Sequence, residues 1–149
     1  MKLVLFDVGN VILKADQKIS IKKFVDLGSI EEKVSKIYHC SEYKNFSRGK
    51  IGNEKFYESL VKNYVRNSLS YNEVVQIFDS AIFAVDPDVL KIMSKLQKIK
   101  KTNLAFLTDT NNWQTRREKE LVNLNEYSKK IFRSNEIGML KTDKECFPF

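Results

Sequence analysis

Residues 4–13 read VLFDVGNVIL and set one acid, Asp7, between two apolar runs. A short apolar run closed by Gly and Asn reads as a fully buried strand that stops at a tight turn. Asp7 then lies at the carboxyl end of a central strand, the edge where open α/β sheets bind ligands. The competing reading is a turn that simply favours Asp, Gly and Asn. Residues 103–112, NLAFLTDTNN, repeat the design of an apolar run followed by polar turn residues. In residues 129–141, KKIFRSNEIGMLK, the IFRS stretch is a weaker third strand. A helix begins at Asp86-Pro87, a cap residue followed by proline at the first helical position. Its expected buried face is Val89, Ile92, Met93, Leu96 and Ile99, and Lys98, Lys100 and Lys101 gather at its C-terminal end, where the helix dipole favours them.

From Lys14 to Val85 the sequence reads as several short amphipathic helices with no strand between them. Ser29 with Glu32, and Ser70 with Glu73, have capping-box spacing, in which hydroxyl and carboxylate satisfy opposite backbone amides. Phe56, Tyr57, Leu60, Val61 and Tyr64 recur at the helical period, as do Val74, Val75, Phe78, Ala81 and Ile82. The order is strand, helical insertion, helix, strand, helix, strand. Alternation of this kind implies an α/β protein with a parallel sheet, with residues 14–85 inserted as a helical cap between the core segments 1–13 and 86–149.

The 149 residues suffice for one domain with a small insertion. No apolar run approaches the roughly 20 residues of a membrane helix, and the opening run is broken at Asp7 and Asn10, so no signal peptide and no membrane partner are read and a cytoplasmic location is expected. Cys40 and Cys146 have no metal-ligand spacing around them and read as reduced thiols. Lys plus Arg number 26 against 19 acids, a net charge of +7. The lysines are dispersed in pairs such as Lys22-Lys23 and Lys129-Lys130, without a recognised binding motif. A solvated basic surface that attracts small anions is expected rather than a nucleic-acid face.

Parallel strands share one carboxyl edge, so the ends of the first two strands bring Asp7 beside Thr108. A carboxylate can attack phosphorus and form an acyl-phosphate if donors and cations hold the phosphoryl charge. Thr108 offers a hydroxyl, the Gly9 turn offers amides, and Lys141, beyond the third strand, offers a fixed charge. Arg48 and Lys50 in the cap loop are further candidates to face a substrate phosphate or sugar, while His39 reads as a cap-surface or packing residue rather than a base. Glu136 and Asp143 are weaker candidates as metal ligands.

These stretches resemble the motifs of the haloacid dehalogenase-like (HAD) hydrolase superfamily, in its helical-cap subgroup of sugar-phosphate phosphatases and epoxide-hydrolase N-terminal-like proteins. FDVGNVIL resembles the first motif with Asp7 at the nucleophile position, LTDTN the second with Thr108 at the phosphate-binding hydroxyl, and EIGMLKTD the third with Lys141 at the motif lysine. In the cap, FSRGKIGNEKFYESL, containing Arg48, is similar to a segment of that subgroup. The resemblance implies a Rossmann-like core with a helical cap. It implies a phosphatase of small phosphorylated metabolites that works through an aspartyl-phosphate on Asp7, with Mg²⁺ held by Asp7 and the Gly9 carbonyl. Asn10, Asp109 and Arg48 fall among the substrate-binding positions.

The sequence departs from the family pattern in several places. Gly9 stands where many of these phosphatases carry a second Asp as general acid and base, Asp109 where Asn is usual, and Thr142 where Pro is usual. Eight residues follow Lys141, and the family's fourth motif, an acidic pair that completes the Mg²⁺ site on the next strand, is not among them. The resemblance therefore implies an incomplete sheet and metal site, and an apolar LVLF edge open to self-association. A non-catalytic protein that binds a phosphorylated ligand or a protein partner is the alternative function.

Overall fold

In the computed structural model, residues 1–146 are described, which leaves the last three positions of the expected core segment outside the description. Strands β1 (Lys2–Phe6), β4 (Thr102–Thr108) and β5 (Ile131–Arg133) form a parallel sheet in the order β1-β4-β5. Helices α6 (Pro87–Gln97) and α7 (Asn112–Leu121) connect them as the alternation required. Asp86 caps α6 by accepting from the amides of Asp88 and Val89, with Pro87 in the first turn.

The cap leaves and rejoins the core through a two-stranded antiparallel ribbon. Its strands are β2 (Leu13–Ala15) and β3 (Ile82–Val85), and helices α1 (Gln17–Asp26), α2 (Glu31–Val34), α3 (Ser41–Ser47), α4 (Asn53–Asn63) and α5 (Tyr71–Asp79) lie between them. This corrects the expectation of no strand between Lys14 and Val85. The apolar stripe of α5 does not extend through Ile82 as its spacing suggests: α5 ends at Asp79, and Ile82 pairs its backbone with Ala15. The Ser70–Glu73 capping box is present. The Ser29–Glu32 box is not: the Ser29 hydroxyl instead accepts from the Arg66 amide at 2.9 Å, and α2 starts at Glu31 after Ile30 without a side-chain cap.

Among the described residues strand β1 pairs on one side only, with β4, so the LVLF run lies at a sheet edge, as the incomplete sheet implied, and not at the centre that its composition by itself suggested. Leu3 is 61% and Leu5 48% exposed, because β4 supplies a neighbour on one side only. On α6, Met93 is buried, with Val89, Leu90 and Leu96 packed beside it, but Ile92 and Ile99 stand half exposed. Ile99 lies beyond the last helical residue, and Ile92 falls off the stripe that one helix can press against β4.

Two apolar cores result. One gathers Val8, Ile12, Leu13, Met93, Leu104, Phe106 and Leu124 around the sheet. The other fills the cap with Phe24, Phe46, Phe56, Leu60, Val74 and Phe78, and it also takes in Trp113 from α7 of the core domain. The Trp113 ring centroid lies 5.1–5.3 Å from those of Phe46, Phe56 and Phe78, and its indole N–H donates to the Tyr71 hydroxyl at 3.1 Å. One buried side chain thus fastens the cap to the core. Trp113→Ala is expected to cost about 3–5 kcal/mol, the usual range for emptying a large aromatic site, and urea unfolding followed by far-ultraviolet circular dichroism measures it.

Candidate active site

The geometry of the site follows from the sheet register. Phe6 pairs with Phe106, so Asp7 leaves the sheet one residue beyond that rung and Thr108 two residues beyond it, on adjacent strands. Thr108 in turn pairs with Arg133 at the end of β5, and α8 (Ser134–Ile137) follows directly. Gly138 ends α8 in the left-handed conformation, φ 78°, which a glycine adopts without the strain a Cβ would bring. The chain can then turn back over the sheet edge, and Lys141 arrives with its Nζ 2.6 Å from Asp7 Oδ2. The other carboxylate oxygen of Asp7 accepts from the Val8 amide at 2.7 Å. Both oxygens are therefore oriented, while the side chain remains 44% exposed to the cleft.

Asp7, Gly9, Asn10, Thr108, Asp109 and Lys141 line one cleft of about 660 Å³ between cap and core. The cap rim adds Asp16, Gln17, Lys18 and Tyr43, and α7 adds Gln114. Thr108 is 4% exposed, and its hydroxyl donates to no described residue, so it is free to meet an anion in the cleft. A second groove of about 680 Å³ runs past Asn53, Asn112, Arg116, Lys119 and Asn135, and none of Asp7, Thr108 or Lys141 borders it.

Three of the residues expected from the sequence to touch substrate have protein partners of their own, two of them while still lining the cleft. Asn10 adopts φ 56°, its amide donates to the Leu13 carbonyl at 2.8 Å, and its side-chain oxygen accepts from the Ala15 amide at 3.1 Å. It builds the turn under the cleft. Asp109 accepts from the Lys141 amide at 2.9 Å, so the acid placed where Asn is usual anchors the lysine loop. Arg48 does not border the cleft: its Nε donates to Asp143 Oδ2 at 2.8 Å, and its terminal nitrogen reaches the other oxygen. The arginine is held there because a planar guanidinium matches a carboxylate with two parallel bonds.

The two weaker metal-ligand candidates are likewise committed. Asp143 is held by Arg48, and Glu136 pairs with Arg133 at 3.4 Å. No group of three or more His, Cys, Asp or Glu side chains among the described residues is arranged to hold a metal ion. Magnesium does not demand one, since it is commonly bound through one or two carboxylates with substrate phosphate and water completing the shell. Asp7 and Gly9 both border the cleft, and a carboxylate with a backbone carbonyl is a donor set that suits magnesium.

Sequence reading missed the support beneath these groups. Glu118 on α7 and Arg133 on β5 form a buried pair at 2.7 Å, with side chains 3% and 7% exposed. The Ser134 hydroxyl donates to the Thr110 carbonyl and accepts from the Thr110 amide, both at 2.8 Å, which ties the turn after β4 to the start of α8. Tyr43, whose hydroxyl accepts from Gln114 at 3.2 Å, is pushed up to about 12 by burial, so it remains a neutral donor at the cleft. None of these pairs has a local spacing that would reveal it.

The Arg48–Asp143 pair also sets an acid-side stability. The Arg48 guanidinium first, and the Leu140 amide second, hold the Asp143 carboxyl well below the usual carboxylate range. A depressed folded-state value means that this contribution is fully present above the unfolded carboxyl value of about 3.9 and is lost as pH falls below it. The gap in thermal midpoint between the wild type and Asp143→Asn should therefore be widest near neutrality and should close on acidification, as differential scanning calorimetry across pH would record.

No family model matches the chain. Its sequence is 25% identical, over all of its own length and 75% of the other's, to a D-ribitol-5-phosphate phosphatase from Bacteroides thetaiotaomicron. Its structure is similar to that of a HAD family enzyme from the same organism in complex with magnesium and inorganic phosphate, with a TM-score of 0.84 and 22% identity over 99% of this chain and 76% of that one. A HAD-like family hydrolase from Porphyromonas gingivalis gives a TM-score of 0.76 at 18% identity, over 99% of this chain and 73% of that one. The fold is that of these haloacid dehalogenase-like enzymes, as the resemblance implied. No helix among the described residues is long and apolar enough to cross a membrane.

Proposed function

We propose that the chain is a magnesium-dependent phosphatase of small phosphorylated metabolites, of sugar- or polyol-phosphate type. The observation that carries the reading is the 2.6 Å contact of Lys141 with Asp7 in a cleft that also presents the Thr108 hydroxyl. A nucleophilic carboxylate needs cation and donors beside it to bring a phosphoryl group within reach, and those groups converge here. The relative at 25% identity acts on ribitol 5-phosphate, and the cleft rim of Asp16, Gln17, Lys18, Tyr43 and Gln114 offers polar partners for a hydroxylated substrate.

In this reading Lys141 and Thr108 bind the phosphoryl oxygens and hold phosphorus in line with an Asp7 oxygen. That oxygen forms the new bond to phosphorus as the bond to the leaving oxygen breaks, and the leaving oxygen takes a proton from solvent water. Water then attacks phosphorus, the bond to Asp7 breaks, and orthophosphate departs with the carboxylate restored. Magnesium, held by Asp7 and the Gly9 carbonyl, would supply charge neutralisation at the phosphoryl group. Lys141 also holds the Asp7 carboxylate in place before substrate arrives.

Incubation with sugar phosphates, polyol phosphates and p-nitrophenyl phosphate in the presence of Mg²⁺ should release orthophosphate. Saturable phosphate binding with no release from any of them would replace the reading by the second one, a non-catalytic binder of phosphorylated ligands. That second reading needs only the Thr108 hydroxyl and the Lys141 ammonium that line the cleft.

A further inference from the structure

The cap reaches the catalytic lysine through one ion pair. Arg48 caps the C-terminal end of α3, in the cap, and both oxygens of its partner Asp143 lie two residues beyond Lys141. Asp143 in turn closes the turn that carries the lysine: its Oδ2 accepts from the Leu140 amide at 2.9 Å, and its own amide donates to the Leu140 carbonyl at 3.0 Å. On the core side the same turn is held by Asp109, which accepts from the Lys141 amide. The neighbouring Gly49 makes the approach of the cap possible. It adopts φ 68°, and a Cβ built there would stand 2.3 Å from the Asn135 carbonyl oxygen, so only a glycine lets this cap loop rest on the backbone of α8.

We propose that Arg48 is a positioning residue for Lys141: through Asp143, the seating of the cap loop on α8 sets where the lysine ammonium stands relative to Asp7. The link is short and stiff, with a bidentate pair at one end and a four-residue turn at the other. Exposed ion pairs usually contribute little, but both members here are about four-fifths covered. A misplacement of about 1 Å in a catalytic group costs on the order of 10²-fold in rate. The kinetic half of the proposal rests on the phosphatase reading; the structural half does not.

Two measurements separate them. The first is hydrolysis of p-nitrophenyl phosphate by the wild type, Arg48→Ala, Arg48→Lys, Asp143→Asn and the swapped pair Arg48→Asp with Asp143→Arg. The second is competitive acetylation of lysines in the same proteins, with Lys141 read by mass spectrometry against the exposed Lys129 as internal reference. Arg48→Ala and Asp143→Asn should each lower kcat by about 10²-fold with a smaller change in KM, and should speed acetylation of Lys141 severalfold while that of Lys129 stays constant. Arg48→Lys, a point charge without the fork, should rescue only in part, and the swap should recover part of both readouts. An unchanged Lys141 labelling rate in folded Asp143→Asn overturns the proposal, and so does faster labelling with unchanged kcat. If the wild type shows no turnover, the phosphatase reading fails and the labelling alone decides the link, since it needs no activity.

Discussion

Asp7→Asn is expected to lower phosphomonoester turnover by on the order of 10⁴–10⁶-fold, the range seen when a covalent nucleophile is removed. The replacement is nearly isosteric, and its side-chain oxygen can still accept from the Val8 amide that now bonds Asp7 Oδ1 at 2.7 Å. What it loses is the negative oxygen that forms the bond to phosphorus and the partner of Lys141 Nζ. Because Thr108 and Lys141 stay in the cleft, orthophosphate should still bind, with an affinity no worse than that of the wild type. Steady-state rates together with isothermal titration of phosphate make the test: turnover retained within about tenfold of wild type would remove Asp7 from the role of nucleophile.

The second large effect is a gain. At Gly9 an added Cβ would meet no atom within 4 Å, and the residue is not among those with positive φ, so a side chain can be placed there without strain. Gly9 borders the cleft two residues after Asp7, where the family resemblance puts a proton-shuttling acid. Gly9→Asp is therefore expected to raise turnover of alkyl phosphates by about 10²–10⁴-fold, the usual contribution of a positioned acid or base. The effect should be selective. A sugar or polyol alkoxide needs a proton to depart, whereas nitrophenolate does not, so p-nitrophenyl phosphate should gain little. A ratio of alkyl to aryl rates that does not move would show that the carboxyl does not reach the leaving oxygen.

The class of fold was legible because its signals are local. Asp86-Pro87 starts a helix by capping and by the fixed φ of proline, and the apolar runs before Asp7 and Asp109 end in turn residues, so strand, helix and strand could be read in order. Where reading went astray, the competing signal was tertiary. LVLF has the composition of a central strand, but which strands flank it depends on segments far away in sequence, and among the described residues only β4 does. The β2–β3 ribbon was missed because Ile82 continues the α5 stripe until a partner strand competes for its backbone. Ser29 looked like a cap residue until Arg66 claimed its hydroxyl.

In the site, the sequence determined which groups lie at the carboxyl edge of the sheet. A strand's end is a local property, so Asp7, Thr108 and, by motif, Lys141 can be placed there from the sequence alone. Whether each group faces a ligand or another residue was decided by the tertiary structure alone. Asp109, Asn10 and Arg48 are chemically able to touch a phosphate, yet one anchors the Lys141 amide, one closes the turn beneath Asp7, and one is spent on Asp143 across the cap boundary. A polar side chain takes the partner that packing brings within about 3 Å, and for Arg48 that partner stands 95 positions away in the chain.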